Sequence, residues 1–279
     1  MLNIIKILFF WLKLIQTTFV EQIIRTGKGF QLLYLLIMGI AVYFAYSQAK
    51  TGKTHTIRPI EALEAIGESI GRCAEMGRPV LVTPGIANLT GSTNAQTIAG
   101  LTVLGEVAQQ AAQIGVTCTT NASSDQVVIA SEAIIRNALT SAGKSELYAP
   151  GKYVRWFGGD QFSYAVGCAG QILEERPGLI VFLGYFLADT IVTGETGARI
   201  GAIKIGGTLG ALPFLAMMCD YLLIGEEMFA ASASITNDPY VLGTIAAQDW
   251  IKGIAIGLMF VGVLLYAAGV DVIWSLMGM

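Results

Sequence analysis

Apolar residues along this chain fall into three kinds of run. Gly29 to Ala49 carries no charge over 21 residues and includes Leu32, Leu33, Leu35, Leu36, Ile37, Ile40, Val42 and Phe44. At 1.5 Å per residue such a helix is roughly 31 Å long, one bilayer crossing. Gly253 to Val270 is a second charge-free run, and one carboxylate, Asp271, separates it from the apolar tail Val272 to Met279. These runs predict transmembrane helices over 29–49 and 251–279. Residues 2–24 differ, because Lys6, Lys13, Thr17, Glu21 and Arg25 recur at spacings of seven and four, which places them on one helical face. With Phe9, Phe10, Trp11, Leu12, Leu14 and Ile15 elsewhere on the helix, residues 1–28 are expected to lie in the membrane interface or, as the rival, to span. No small-residue cleavage site follows the apolar core, which argues against a cleaved signal peptide.

Between the two crossings, over 50–250, short β-type runs alternate with longer helical ones, the signature of an α/β layer structure. Pro59 opens a helix carrying Leu63, Ile66 and Ile70, and Gly77 closes it. A strand at 80–83 follows. Ser92, Thr93 and Asn94 offer N-caps for a helix to about Gln113, ended by Gly115 before a β-branched strand at 116–120. Ser123 or Ser124 caps a helix ending near Gly143, and a loop rich in Tyr, Pro and Gly leads to a helix from about Gln161 to Glu175. The unbroken apolar run Leu179 to Leu183 suits a strand buried on both faces, and further strands are expected at 202–205 and 221–224. Leu179 to Val192 is apolar enough to compete as a membrane segment, but Asp189, Glu195 and Arg199 favour a buried strand followed by a helix. The fold class is therefore α/β, a mostly parallel sheet of about four or five strands covered by helices and flanked by N- and C-terminal transmembrane helices.

Composition narrows the function classes. Apolar residues make up 54% of the 279 positions and charged residues 13%, which excludes a disordered chain and an ordinary soluble globule. A net charge of −3, from 17 Lys+Arg and 20 Asp+Glu, leaves no basic face for nucleic acid. Lys252 precedes the C-terminal crossing and no Lys or Arg follows it, so the positive-inside rule puts the central domain in the cytoplasm of a cell-membrane protein. At the N-terminal crossing, Arg25 and Lys28 on one side are balanced by Lys50, Lys53 and Arg58 on the other. Cys73, Cys118, Cys168 and Cys219 stand singly in apolar or small-residue surroundings, and read as buried thiols, neither a disulfide framework nor a zinc site.

Candidate chemistry is sparse. The stretch TPGIANLTGSTNAQT, 83–97, joins a strand to a helix start, where free backbone N–H groups can hold a phosphate or carboxylate; Thr83, Gly85, Ser92 and Asn94 are the candidate ligand residues. The stretch matches neither GxGxxG nor GxxxxGK[ST]. Gly194, Gly197, Gly201, Gly206, Gly207 and Gly210 permit close approach to a ligand or a second subunit, and subunit packing is the preferred reading. Tyr148, Tyr153, Trp156 and Phe157 interleave with Lys152 and Arg155 as a packed aromatic loop, or one touching headgroups or a neighbouring subunit. Trp156, Gly197 and Gly201 are the candidate oligomer contacts. Asp160, Asp189, Glu195, Asp220, Glu226 and Glu227 form no recognised metal-ligand set, and the only histidine, His55, sits in a Thr-rich linker unsuited to a catalytic triad. No metal or cofactor is expected, and no catalytic residue is assigned.

Three segments, IEALEAIGESIGRCAEMGRPV at 60–80, GDQFSYAVGCAG at 159–170, and GETGARIGAIKIGGT with CDYLLIGEE between 194 and 227, carry a resemblance. Over about 59–270 the chain resembles an uncharacterised family of bacterial and archaeal membrane proteins, a domain of unknown function. The resemblance implies a membrane-anchored α/β domain and brings no activity, cofactor or catalytic residue; the amphipathic N-terminal extension is additional to the usual single anchor. The expected function is structural: a scaffold tethered to the lipid bilayer at both ends that assembles with copies of itself, because tethering raises the local concentration of neighbours. The alternative is a membrane-anchored ligand- or nucleotide-binding module, or an enzyme, that uses the loop at 83–97. Transport is a third class, with Asp271 as its lone intramembrane candidate.

Overall fold

The computed structural model describes residues 29–50, 60–210, 212–236 and 239–267. Expectations for residues 1–28, His55, Pro59, Asp271 and the tail from 268 lie outside the described residues. The chain divides into two compact units, 1–55 with 239–279, and 56–238.

The first unit holds helices Gly29–Lys50 (α1) and Pro239–Ala267, which pack along each other with the rings of Phe44 and Trp250 6.0 Å apart. Within the second helix, Leu242–Leu264 spans 23 residues and is long and apolar enough to cross a membrane. Ile256, Met259, Phe260 and Val263 stand exposed along it, as side chains that face lipid would. In α1 the apolar stretch is Tyr34–Gln48, shorter than a full crossing. The C-terminal helix begins well before the start expected from charge-free runs, because it includes Asp249 and Lys252, which pair at 3.5 Å.

The second unit is a six-stranded, wholly parallel sheet with helices on both faces. Its elements in chain order are α2 (Glu61–Met76), β1 (Val80–Gly85), α3 (Asn94–Ile114), β2 (Cys118–Ala122), α4 (Asp125–Ser141), β3 (Val154–Trp156), α5 (Gln161–Glu175), β4 (Leu179–Tyr185), α6 (Asp189–Arg199), β5 (Ile203–Thr208), α7 (Leu212–Met218), β6 (Tyr221–Ile224) and α8 (Glu227–Thr236). The C-terminal helix of the first unit is α9. The sheet order is β3-β2-β1-β4-β5-β6. Five strands fall where the apolar runs place them. The sixth, β3, is three residues on the sheet edge, and its Val154-Arg155-Trp156 carries no apolar run to mark it.

Local signals explain the element ends. Gly77 closes α2 in the left-handed region, Ser124 Oγ accepts from Val127 N–H to start α4, and Asp160 accepts from the Phe162 and Ser163 N–H groups to start α5. Parallel strands are buried on both sides, and β1 is buried at all six positions. Successive residues take opposite faces: Leu81, Ile180 and Phe182 pack with Cys168 and Ile172 of α5, Leu215 of α7, and Phe186. Helix α3 covers β1 and β4 on the other face, flanked by α2, α4 and α8. Each large side chain so buried contributes about 1.5–3 kcal/mol.

The closest packing lies where α3 crosses the sheet. A Cβ on Gly100 would stand 1.9 Å from the Leu183 carbonyl oxygen and 3.5 Å from Pro84 Cα. Backbone occupies the space, so Gly100→Ala is expected to cost about 1–3 kcal/mol or more by overpacking, read as the urea midpoint of the full chain in detergent. Gly170→Ala is its control: a Cβ there meets nothing within 4 Å on a helix, so stability should hold or rise. Equal midpoints for wild type and Gly100→Ala would mean that the helix does not close on the strand.

Candidate functional site

In the order β3-β2-β1-β4-β5-β6, strands β1 and β4 are neighbours although two strands separate them in sequence. The chain leaves β1 toward β2 and leaves β4 toward β5, in opposite directions. Right-handed crossovers then send α3 over one face and α5 and α6 over the other. The carboxyl ends of β1 and β4 are the topological switch point, the place where doubly wound sheets hold ligands.

Helix α3 supplies one wall. The loop 86–93 leads into it, with the Thr90 N–H held by Asn88 Oδ1 in a tight turn. Thr93 is its N-cap but makes no side-chain cap bond, and no acid sits in the first turn. Gln96 is buried and ties this end to β5, accepting from Thr208 Oγ1 at 3.2 Å and from Leu209 N–H at 2.9 Å. Strands β1 and β4 stay zipped to the lip of the crevice: Ile86 N–H donates to the Tyr185 carbonyl at 2.9 Å, and Gly85 adopts φ +87 where a Cβ would lie 2.2 Å from that oxygen.

The opposite wall is a buried polar network. Thr83 Oγ1 bonds Tyr164 Oη of α5, Tyr164 donates to Asn121 Oδ1 at 2.6 Å, and Asn121 Nδ2 donates to Gln171 Oε1 at 3.1 Å. Burial pushes the Tyr164 hydroxyl well above its ordinary pKa and the Cys168 thiol up to about 12, so both stay protonated. Asp189 begins α6 just past β4. Its Oδ1 accepts from Leu187 N–H at 2.7 Å, while Oδ2 has no partner of good geometry. Burial raises its pKa, opposed by bonds from Leu187 and its own backbone and by the Gln161 side chain.

The placement of unpaired polar atoms singles this edge out. Among the described residues, four buried side-chain polar atoms lack a hydrogen-bond partner: Thr97 Oγ1, Ser123 Oγ, Ser131 Oγ and Asp189 Oδ2. Three of the four sit at the carboxyl edge, following β1, β2 and β4, on residues only 0, 3 and 2% exposed. Such atoms normally find partners, and each left alone costs about 1–3 kcal/mol.

The expected site residues fare differently. Thr83 is buried and faces the network, Gly85 forms the lip, and Ser92 and Asn94 stand at the start of α3, exposed and half-buried. Trp156 is 64% exposed, its Nε1–H donating to the Ser123 carbonyl at 3.2 Å. Gly197 lies inside the domain, where a Cβ would meet Ile180 Cδ1 at 2.8 Å, and Gly201 forms a turn at φ +68. Thr97 carried no signal beyond a Thr on the apolar face of a helix, and Asp189 stood among unconnected acids. The usable cue was its position, the first acid after an unbroken buried strand. Cys73, Cys118 and Cys168 are buried and Cys219 is partly so, with burial lifting the four thiols to about 11 or 12. No group of three His, Cys, Asp or Glu that could hold a metal is found among the described residues. At the opposite edge of the sheet a cavity of about 410 Å³ opens near Arg78, Ile114, Thr119 and Glu175. Its charged groups are engaged internally, Arg78 on the carbonyls of Arg176, Pro177 and Ile200, and Glu175 on Thr119, Gln171 and Arg155.

The fold defines a doubly wound parallel α/β protein with its topological switch point between β1 and β4. The chain belongs to the DUF6754 family, a domain of unknown function, which matches residues 20–277. No curated protein and no solved structure matches it.

The raised pKa of Asp189 makes a stability prediction with a definite sign. Its folded pKa lies above the unfolded one, so its contribution is fully present below the ordinary carboxylate range and is lost as pH rises through the raised value. The facing Tyr164 and Cys168 stay neutral throughout. Asp189→Asn should therefore raise the melting temperature of the ligand-free protein at about pH 8 and give no gain near pH 4; a gain of the same size at both would show that Asp189 does not titrate on unfolding.

Proposed function

We propose that this chain is a membrane-tethered binding module whose α/β domain, on the cytoplasmic side, holds a small ligand at the carboxyl ends of β1 and β4. One observation carries the reading: the unpartnered buried atoms of Thr97 and Asp189 follow β1 and β4, the two strands of the switch point, and that of Ser123 follows the neighbouring β2. The tether is α9, with the shorter apolar helix α1 packed along it, and the sided placement of Lys252 supports the orientation. Binding is preferred to catalysis because the crevice offers hydroxyls and one carboxyl but no nucleophile held by a base. Native mass spectrometry of the full chain released from nanodiscs should show a small-molecule adduct on the wild type that Thr97→Val and Asp189→Asn reduce. An adduct retained unchanged by both variants would remove this crevice as the site.

Self-assembly, the scaffold reading, is supported by a different surface. Phe162, Val166 and Leu173 stand 75, 69 and 56% exposed on one face of α5, with Gly170 between them leaving open space for a second helix to approach. A second copy of the chain is the occupant this reading requires. Val166→Asp should then lower the subunit count seen in the same spectra, and an unchanged count would end it.

A further inference from the structure

We propose that the switch-point crevice takes a nucleotide with a bridging diphosphate, the diphosphate resting on the amino end of α3 and a ligand hydroxyl donating to Asp189 Oδ2. The inference rests on the binding reading and adds the chemistry of the ligand.

Charge at this edge is the first argument. The segments that surround it, 82–98, 121–130, 156–166, 184–192 and 206–214, contain no Lys, Arg or His, and their acids are Asp125, Asp160 and Asp189. Of the five helices that start here, three have an acid at the cap or in the first turn, Asp125 on α4, Asp160 on α5 and Asp189 on α6, while the seven-residue α7 has none. Helix α3 has none and makes no side-chain cap bond. Over its 21 residues the aligned peptides leave about half a positive charge at that end, where the Gln96 N–H donates to the Thr93 carbonyl at 3.1 Å and no side chain caps the N–H groups before it. That half charge suits phosphoryl groups carrying one negative charge each. A terminal phosphate places nearly two on a single phosphorus and calls for a Lys or Arg that this edge does not supply.

The unpartnered side chains are the second, independent argument. Thr97 is fully buried, and its Oγ1 bonds nothing. It lies on the sheet-facing side of α3, one turn nearer the amino end than Gly100, and so beside the crevice. Asp189 lies on the other wall, because α6 is on the opposite side of the sheet; the Gln161 side chain lies beside its carboxyl, and Oδ2 makes no hydrogen bond of good geometry. A molecule that reaches both must present phosphate oxygens to N–H and O–H donors at one place and a hydroxyl to a carboxyl at another. A ribose joined to a diphosphate has that pairing of groups. The fold by itself does not decide this, since doubly wound sheets serve many functions.

The test is calorimetry and thermal shift on the full chain in nanodiscs with ADP-ribose, ADP, adenosine and inorganic phosphate as probes. ADP-ribose is expected to bind saturably and raise the melting temperature, with ADP, adenosine and phosphate weaker. Thr97→Val, which keeps the side chain's shape, and Asp189→Asn should each weaken ADP-ribose about tenfold. Ser131→Ala removes the remaining unpartnered atom of the four, a hydroxyl that lies within α4 away from the edge, and should leave binding unchanged. The inference is overturned if ADP-ribose shows no binding, if ADP or phosphate binds as tightly, or if both variants bind as the wild type does. A copurified adduct without phosphate that depends on Thr97 and Asp189 would sink the diphosphate while leaving the binding reading intact.

Discussion

Everything distinctive about the α/β unit depends on how closely α3 lies against the backbone of β1 and β4. Gly100 sits on the Leu183 carbonyl, and on the sheet itself Gly85 and Gly184 leave room for the Tyr185 and Pro84 carbonyls. At van der Waals distances this permits no Cβ on those residues. The approach draws the first turn of the helix down to the sheet edge, so that Gln96 can reach Thr208 and Thr97 is buried at that edge. A helix held a methyl group farther away would leave that end in solvent, its N–H groups satisfied by water.

Much of the domain was legible in the pattern of residues because parallel strands, buried on both faces, read as unbroken apolar runs between capped helices. Leu179 to Tyr185 is such a run, and Asp189 directly after it distinguishes a strand with a following helix from a membrane segment. Edge strand β3 escaped notice because three residues bearing Arg155 and Trp156 have neither the length nor the apolarity of a central strand. Sheet order was equally hidden, since the pairing of β1 with β4 is a contact across almost a hundred residues that no local signal encodes.

In the glycine-rich segment 194–210 the close approaches that small residues permit are made within the domain. Small residues do mark close approach, but Gly194 meets Met218, Gly197 meets Ile180, and Gly206 meets Leu215 and Cys219, all within one domain. Composition reports that something packs tightly, and only topology reports what. The loop 83–97 was found for the opposite reason: a Gly-containing turn from strand to helix is a local feature. Its partner wall, supplied by α5 and α6 from far along the chain, could not be read from it.

The stability cost of the switch point argues for its use. Three unpartnered buried polar atoms at about 1–3 kcal/mol each weigh heavily against the 5–15 kcal/mol by which a domain is usually stable. Val at 97 and Ala at 123 would each fit nearly the same space and relieve most of that cost at those two positions. A fold that keeps all three where diverging helices open a crevice, while Thr83, Tyr164, Asn121 and Gln171 beside them are bonded to one another, leaves its unspent hydrogen bonds in one place. Occupation by a ligand that satisfies them would return that free energy as affinity, which is how a destabilised edge and a binding site come to be the same feature.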